Sequence, residues 1–151
     1  MNIVLDANVL ADLFLACRPR HANARRLLDL LVARSEHVIH VPAHAYLELY
    51  SSAISEWRAE PENVVLDKLF RPHHALPIQV VSINLPFVRG HLIRPMPLLT
   101  AGDLPYALLS IQDKMLLITE DAKLKDETNR CGGHAVGIEA AEGVLRGLTT
   151  G

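Results

Sequence analysis

The feature that most narrows the fold is an alternation of short, branched apolar runs with longer stretches of helical periodicity, repeated along the whole chain. Residues 2–5 form the first such run, and residues 8–16 after it carry Leu10, Leu13 and Phe14 at helical spacing. A second helix is expected over 21–34 through Leu27, Leu28, Leu30 and Leu31, then a strand over 38–41. Pro42 stops that strand and suits the first turn of a helix, whose apolar side centres on Tyr46, Tyr50, Ala53 and Trp57. The stretch 61–77 is the least regular, punctuated by Pro61, Pro72 and Pro77, with a helical turn expected over 64–70. Beyond it the pattern predicts a strand over 78–83, a helix over 86–93 before Pro95 and Pro97, and an amphipathic helix over 103–112. A strand over 115–119, a helix over 122–129, a strand over 134–137 and a helix over 139–146 complete it. Strands separated by helices demand crossover connections, so the expected fold is a three-layer α/β/α sandwich around a mostly parallel sheet. No repeat or linker interrupts residues 1–151, which read as a single domain.

A chain of 151 residues, half of them hydrophobic and 21% charged, can bury its own core and lacks the signature of disorder. Cys17 and Cys131 are far apart and form no C-x-x-C, so a disulfide framework is not indicated and a reducing cytoplasm is the expected location. The start has no basic segment before its first carboxylate, and no apolar run reaches membrane-spanning length. A net charge of −2 excludes a uniformly basic surface. The best candidate for a local basic patch is Arg18, Arg20, His21, Arg25 and Arg26, with Arg18 and Arg20 the RNA-contacting candidates and Arg25 and Arg26 better read as a solvated helix face.

The chemistry concentrates in carboxylates. Asp6 follows the first strand and Asp121 follows the strand over 115–119, so both belong at the carboxyl edge of the sheet, where such folds bind ligands. Asp103 opens the helix leading into that later strand. Three carboxylates in one cleft repel one another and call for a cation, and oxygen ligands suit Mg²⁺ or Mn²⁺. Phosphodiester hydrolysis is the reaction class that fits. Each aspartate also precedes a predicted helix, where Asp is a favoured cap, and Thr100-x-x-Asp103 reads as a capping box. The combination of two strand ends and a helix start is what capping leaves unexplained. Glu48 projects nearly opposite the apolar side of its helix, beside His44, Ser51, Ser52 and Ser55, which reads either as a solvated glutamate or as a small-residue face lining the cleft.

Other features point less far. His37, His40 and His44 straddle a strand-to-helix turn, and scattered surface histidines are a better reading than a zinc site. The pair His73-His74 has no metal or catalytic spacing, and no phosphate-binding glycine pattern surrounds Gly132-Gly133.

The run Val4-Leu5-Asp6-Ala7-Asn8-Val9-Leu10, Glu48 in the helix after the second strand, and Ala101-Gly102-Asp103 followed by Leu117-Ile118-Thr119-Glu120-Asp121 together resemble the PIN-domain nucleases. The likeness spans almost the whole chain and is closest to stand-alone VapC-type toxins. It implies that Asp6, Glu48, Asp103 and Asp121 form the acidic site, with Asp6, Asp103 and Asp121 on the metal and Asn8 and Thr119 in support. It further implies Mg²⁺- or Mn²⁺-dependent cleavage of RNA, an antitoxin protein as partner, and a homodimer. The apolar helices around 10–14 and 27–31 suit either a dimer surface or the core. With no histidine evident near these motifs, a metal-activated water is the expected nucleophile.

Pro105 departs from the family's pattern, which carries helix formers around the third acid, and it motivates a second reading: a non-catalytic RNA- or protein-binding module of the same fold. A third, a phosphate-accepting regulatory domain, lacks the required late lysine and the acidic pair at the first strand.

Overall fold

The computed structural model describes residues 1–58, 61, 64, 65, 67, 68, 71, 76–91, 96 and 98–147. Five strands, β1 (Asn2–Leu5), β2 (Val38–Pro42), β3 (Ile78–Val81), β4 (Leu116–Ile118) and β5 (His134–Val136), form one sheet in the order β3-β2-β1-β4-β5. All four ladders are parallel. Such a sheet must be covered on both faces, because its connections run as helices over it. The central strands show this directly: Ile3, Val4 and Leu5 of β1 and Leu116, Leu117 and Ile118 of β4 are all buried.

Seven helices accompany the strands among the described residues: α1 (Ala7–Phe14), α2 (His21–Val32), α3 (Ala45–Glu56), α4 (Leu85–His91), α5 (Leu104–Gln112), α6 (Ala122–Arg130) and α7 (Ile138–Gly147). Helix α1 packs against α2 and α3, and α2 packs against α7, while α5 packs against α4 and α6. The sandwich expected from the sequence is therefore the one observed, with element bounds differing by a few residues at most. Of the helical turn expected over 64–70, positions 66, 69 and 70 lie outside the described residues, as do His73, His74, Pro95 and Pro97.

Two local expectations change. Pro42 does not open a helix; it ends β2, paired with Val81 of β3, and the chain turns through Ala43 and His44 before α3 begins. On α3 the fully buried positions are Ala45, Leu49 and Ala53, whereas Tyr46, Tyr50 and Trp57 flank them half-exposed. The aromatic residues drew the predicted apolar face about a residue out of phase. The leucines of α1 and α2 pack into the core, with Leu10, Leu13, Leu27, Leu28 and Leu31 all buried, so they do not supply a dimer surface.

Gly133, just before β5, shows how tightly the α5, α6 and β5 junction closes. A Cβ there would lie 2.6 Å from Thr128 Cγ2, 2.9 Å from Ser110 Oγ and 3.0 Å from Ile111 Cγ1. Gly143 in α7 has nothing within 4 Å of such a Cβ. Gly133→Ala should accordingly cost about 1–3 kcal/mol through overpacking. Gly143→Ala should gain about 0.4–1 kcal/mol by restricting the unfolded chain and favouring helix. Opposite shifts in urea midpoint are the expected result, and equal shifts would contradict the packing at Gly133.

Candidate active site at the carboxyl edge of the sheet

The order β3-β2-β1-β4-β5 reverses direction between β1 and β4, and a crevice opens at such a switch point beyond the carboxyl ends of the strands. Asp6 and Thr119 are the residues immediately after β1 and β4, and the parallel register Leu5↔Ile118 sets them side by side. The Asp6 amide donates to the Ile118 carbonyl at 3.1 Å, and the Thr119 hydroxyl donates to Asp6 Oδ2 at 2.7 Å. The Thr119 oxygen in turn accepts from the Asp121 amide at 3.0 Å. One hydroxyl thereby ties both strand ends together.

The three aspartates occupy different environments. Asp121 caps α6, with Oδ1 accepting from the Leu124 amide at 2.8 Å. Asp103 turns back on Thr100: Oδ2 accepts from the Thr100 hydroxyl at 2.7 Å and from its amide at 3.2 Å, which is the capping box anticipated from the sequence. Pro105 sits in the first turn of α5, where no amide hydrogen is required, so it leaves the helix start intact. Asp6, at the start of α1, is only 5% exposed. Burial raises its pKa, the Thr119 hydroxyl and the amides of Ala7 and Asn8 oppose that rise, and the charge of Asp121 adds to it. Asn8 meets the site through its amide, its side chain being exposed.

Glu48 is exposed, as its helical projection suggests, yet it opens onto this same site. Its pKa is raised by partial desolvation first, with His44 lowering it and Asp6 and Asp103 raising it further. Its Oε1 lies against the backbone at Gly102, where a Cβ would come within 3.3 Å. Among the described residues no group of three or more Asp, Glu, His or Cys side chains forms a ready-made metal shell. The physical reason is that like charges do not converge without a cation, and Asp103 and Asp121 each find hydrogen-bond donors at their own helix starts. The donor set nonetheless fits a hard dication: a buried aspartate and a nearby glutamate, both pushed toward protonation, are the groups a cation would restore to the charged form.

Two residues at this edge were not assigned to the site from the sequence. His44, expected among scattered surface histidines, lies one helical turn before Glu48 and donates from Nε2 to the Gly102 carbonyl at 2.8 Å. A histidine is therefore present beside the acidic motifs, against expectation; the i, i+4 spacing to Glu48 was the available clue. His37 is buried and His40 faces Asn2, so the three histidines do not converge. Tyr106 is 1% exposed, and among the described residues its hydroxyl finds no partner at normal hydrogen-bond geometry. Burial, followed by the charges of Asp6 and Glu48, pushes its pKa up, so the phenol stays neutral.

Asp12, 1% exposed on α1, organises the basic stretch. Arg18 Nε bonds its Oδ1 at 2.9 Å, Arg20 Nη1 lies 3.9 Å from Oδ2, and His21 Nδ1 lies 2.9 Å from its carbonyl oxygen. Arg20 also reaches Glu120 Oε2 at 3.5 Å. Arg26 is engaged by Asn23 and Glu142. One residue along from Asp121, a cleft of about 400 Å³ is lined by Arg20, Asn23, Glu120, Lys125 and the first residues of α7.

Residues 3–127 match the family model described as PIN domain. The chain belongs to the PIN domain family. PIN domains are generally nucleases, and they typically use divalent metal ions. The fold is similar to that of PAE2754 from Pyrobaculum aerophilum, with a TM-score of 0.64, 17% identity, and 97% of this chain and 96% of that one covered. It is also similar to VapBC2 from Rickettsia felis, solved bound to a DNA fragment from their promoter, with a TM-score of 0.60, 17% identity, and coverage of 91% and 98%. A PilT N-terminus domain protein, SSO1118 from the archaeon Sulfolobus solfataricus P2, follows at a TM-score of 0.51 and 15% identity, with coverage of 96% and 93%. None of the curated proteins matches at a significant level. Among the described residues no helix of this PIN domain is long and apolar enough to cross a membrane.

A raised Asp6 pKa means that folding is favoured while the group is protonated and loses that contribution as pH rises through the folded-state value. Asp6→Asn removes the charge while keeping an acceptor for Thr119. In metal-free buffer at pH 7 the variant should melt higher than wild type, and the gain should shrink as pH falls toward 4. A variant that melts lower than wild type at pH 7 would show that Asp6 is not under desolvation stress.

Proposed function

We propose that this chain, acting as a single domain, is a metal-dependent endoribonuclease in which Asp6, Glu48, Asp103 and Asp121 form the catalytic site. The observation that carries the reading is the buried Asp6, held by Thr119 at the sheet's switch point, with the charge of Asp121 acting on it and its own charge acting on Glu48, in a chain of a generally nucleolytic family. Asp6, Asp103 and Asp121 would hold Mg²⁺ or Mn²⁺. Such an ion, when bound, neutralises phosphoryl charge and acidifies a water ligand.

The chain's own groups do the rest. Thr119 donates to Asp6 Oδ2 and so fixes the orientation of the carboxylate. Glu48, whose carboxyl is displaced toward protonation, orients the attacking water and takes its proton at a carboxylate oxygen. Asn8 supports the rim of the site. The RNA strand would continue from the acids into the cleft beside Asp121, where Lys125 and Arg20 meet its phosphates. Arg18 contributes through Asp12, which it neutralises, more than by reaching RNA itself.

The likeness to VapBC2 supports a toxin of a toxin–antitoxin pair acting in the cytoplasm, restrained by an antitoxin protein that fills the acidic cleft. For the homodimer, Leu47 and Ile54, exposed two turns apart on α3, offer one apolar surface among the described residues.

With single-stranded RNA and Mn²⁺, Asp6→Asn should lower the cleavage rate by at least about a hundredfold while the fold is retained by circular dichroism. Undiminished cleavage would remove Asp6 from the mechanism. Lys125→Ala should raise KM several-fold with kcat nearly unchanged, and should flatten the dependence of KM on salt, by about one phosphate contact. An unaltered KM and salt slope would take Lys125 out of the RNA path.

A second reading, a non-catalytic RNA- or protein-binding module, is favoured by the self-capped state of Asp103 and Asp121. Calorimetric titration with Mn²⁺ separates the two. The nuclease reading expects a site that weakens in Asp103→Asn, and a binding module shows none to lose.

A further inference from the structure

We propose that His44 is a positioning residue that clamps Glu48 and the Gly102–Asp103 turn into one site, an inference that rests on the nuclease reading. The problem it solves is geometric. Glu48 belongs to α3, which follows β2, and Asp103 precedes α5, which leads into β4. β2 and β4 lie on opposite sides of β1 and share no ladder, so strand register does not set the start of α3 against the start of α5.

The His44 side chain spans that gap. Its Nε2 is 2.8 Å from the Gly102 carbonyl oxygen, a partner 58 residues away. A carbonyl only accepts, so Nε2 carries the hydrogen and the ring is held in that tautomer or fully protonated. The same ring packs edge-on against Tyr106, with centroids 5.2 Å apart and planes at 60°. Tyr106 is a buried anchor of α5, so the ring is fixed from two sides.

Both acids hang from this clamp. Glu48 is four residues after His44 and therefore on the same side of α3, with Oε1 close enough to Gly102 that a Cβ there would approach to 3.3 Å. Asp103 is the next residue after Gly102. A shift of the turn away from α3 would move Asp103 and widen the space around Glu48 together. Misplacements of about 1 Å at catalytic groups cost up to about a hundredfold in rate.

The test uses the full chain with His44→Ala, His44→Phe and His44→Gln. Glutamine can place an amide N–H where Nε2 lies, whereas phenylalanine keeps the ring against Tyr106 and loses the donor. Expected are losses in kcat of about tenfold to a hundredfold for Ala and Phe, with KM nearly unchanged, weaker Mn²⁺ binding by calorimetry, and substantial rescue of both by Gln. Wild-type kcat and Mn²⁺ affinity in His44→Phe, or a Gln variant no better than Ala, would overturn the clamp.

A second measurement needs neither variants nor activity. In ¹⁵N-histidine spectra of the wild-type protein, His44 should show a slowly exchanging Nε2–H, and an Nδ1–H tautomer would overturn the proposal. Should the wild type cleave no RNA, the nuclease reading fails, while the tautomer and the effect of the variants on Mn²⁺ affinity still decide the clamp.

Discussion

A carboxylate at the end of the central strand sets the terms for the rest of this molecule. Asp6 is carried to the middle of the sheet because β1, with Ile3, Val4 and Leu5 inaccessible on both faces, pairs with β2 on one side and β4 on the other. Burying a carboxylate is unfavourable unless hydrogen bonds or a cation offset it. Thr119 and two amides at the start of α1 supply part of that compensation, and Asp121 works against it. On the proposed reading, a cation would relieve the remaining imbalance.

Charges outside the centre are handled differently. Asp12 is as deeply buried as Asp6 but has Arg18 bonded to it, with Arg20 and His21 close by. Glu127 is matched by Arg130 at two oxygens, and Glu120 is met by Arg20 and by the Ile138 amide at the start of α7. Against these ion-paired acids, Asp6 and Glu48 stand out as carboxylates whose neighbours at the site include further acids. That contrast supports the proposed ligand site at Asp6 and Glu48 over a structural ion pair.

Much of this was legible along the chain. The α/β order, the parallel sheet and the placing of Asp6 and Asp121 at one edge follow from period-2 and period-3.6 patterning, because each strand must expose its carboxyl end to the same side when every connection crosses over. The cap at Asp121 and the Thr100–Asp103 capping box were legible for a local reason: a short acid at a helix start finds donors within three residues of itself. Glu48 was visible as a polar position on α3, though its proposed place in the site came only by family resemblance. The phase of α3 was misread because Tyr46, Tyr50 and Trp57 are large and periodic, yet Leu49 with two alanines is what fits the narrow space against α1.

By itself the sequence determined the alternation of elements, the chemistry of the acids and the edge on which they fall, since these depend on residue type and local spacing. Only the tertiary structure decided which strands are neighbours, and hence that Thr119 bonds Asp6 across 113 positions. The same holds for His44 reaching Gly102 and for Asp12 gathering the arginines that look unpaired in the linear chain. Those contacts depend on strand order and helix phase, which are set by how the whole core closes and not by any short window of residues.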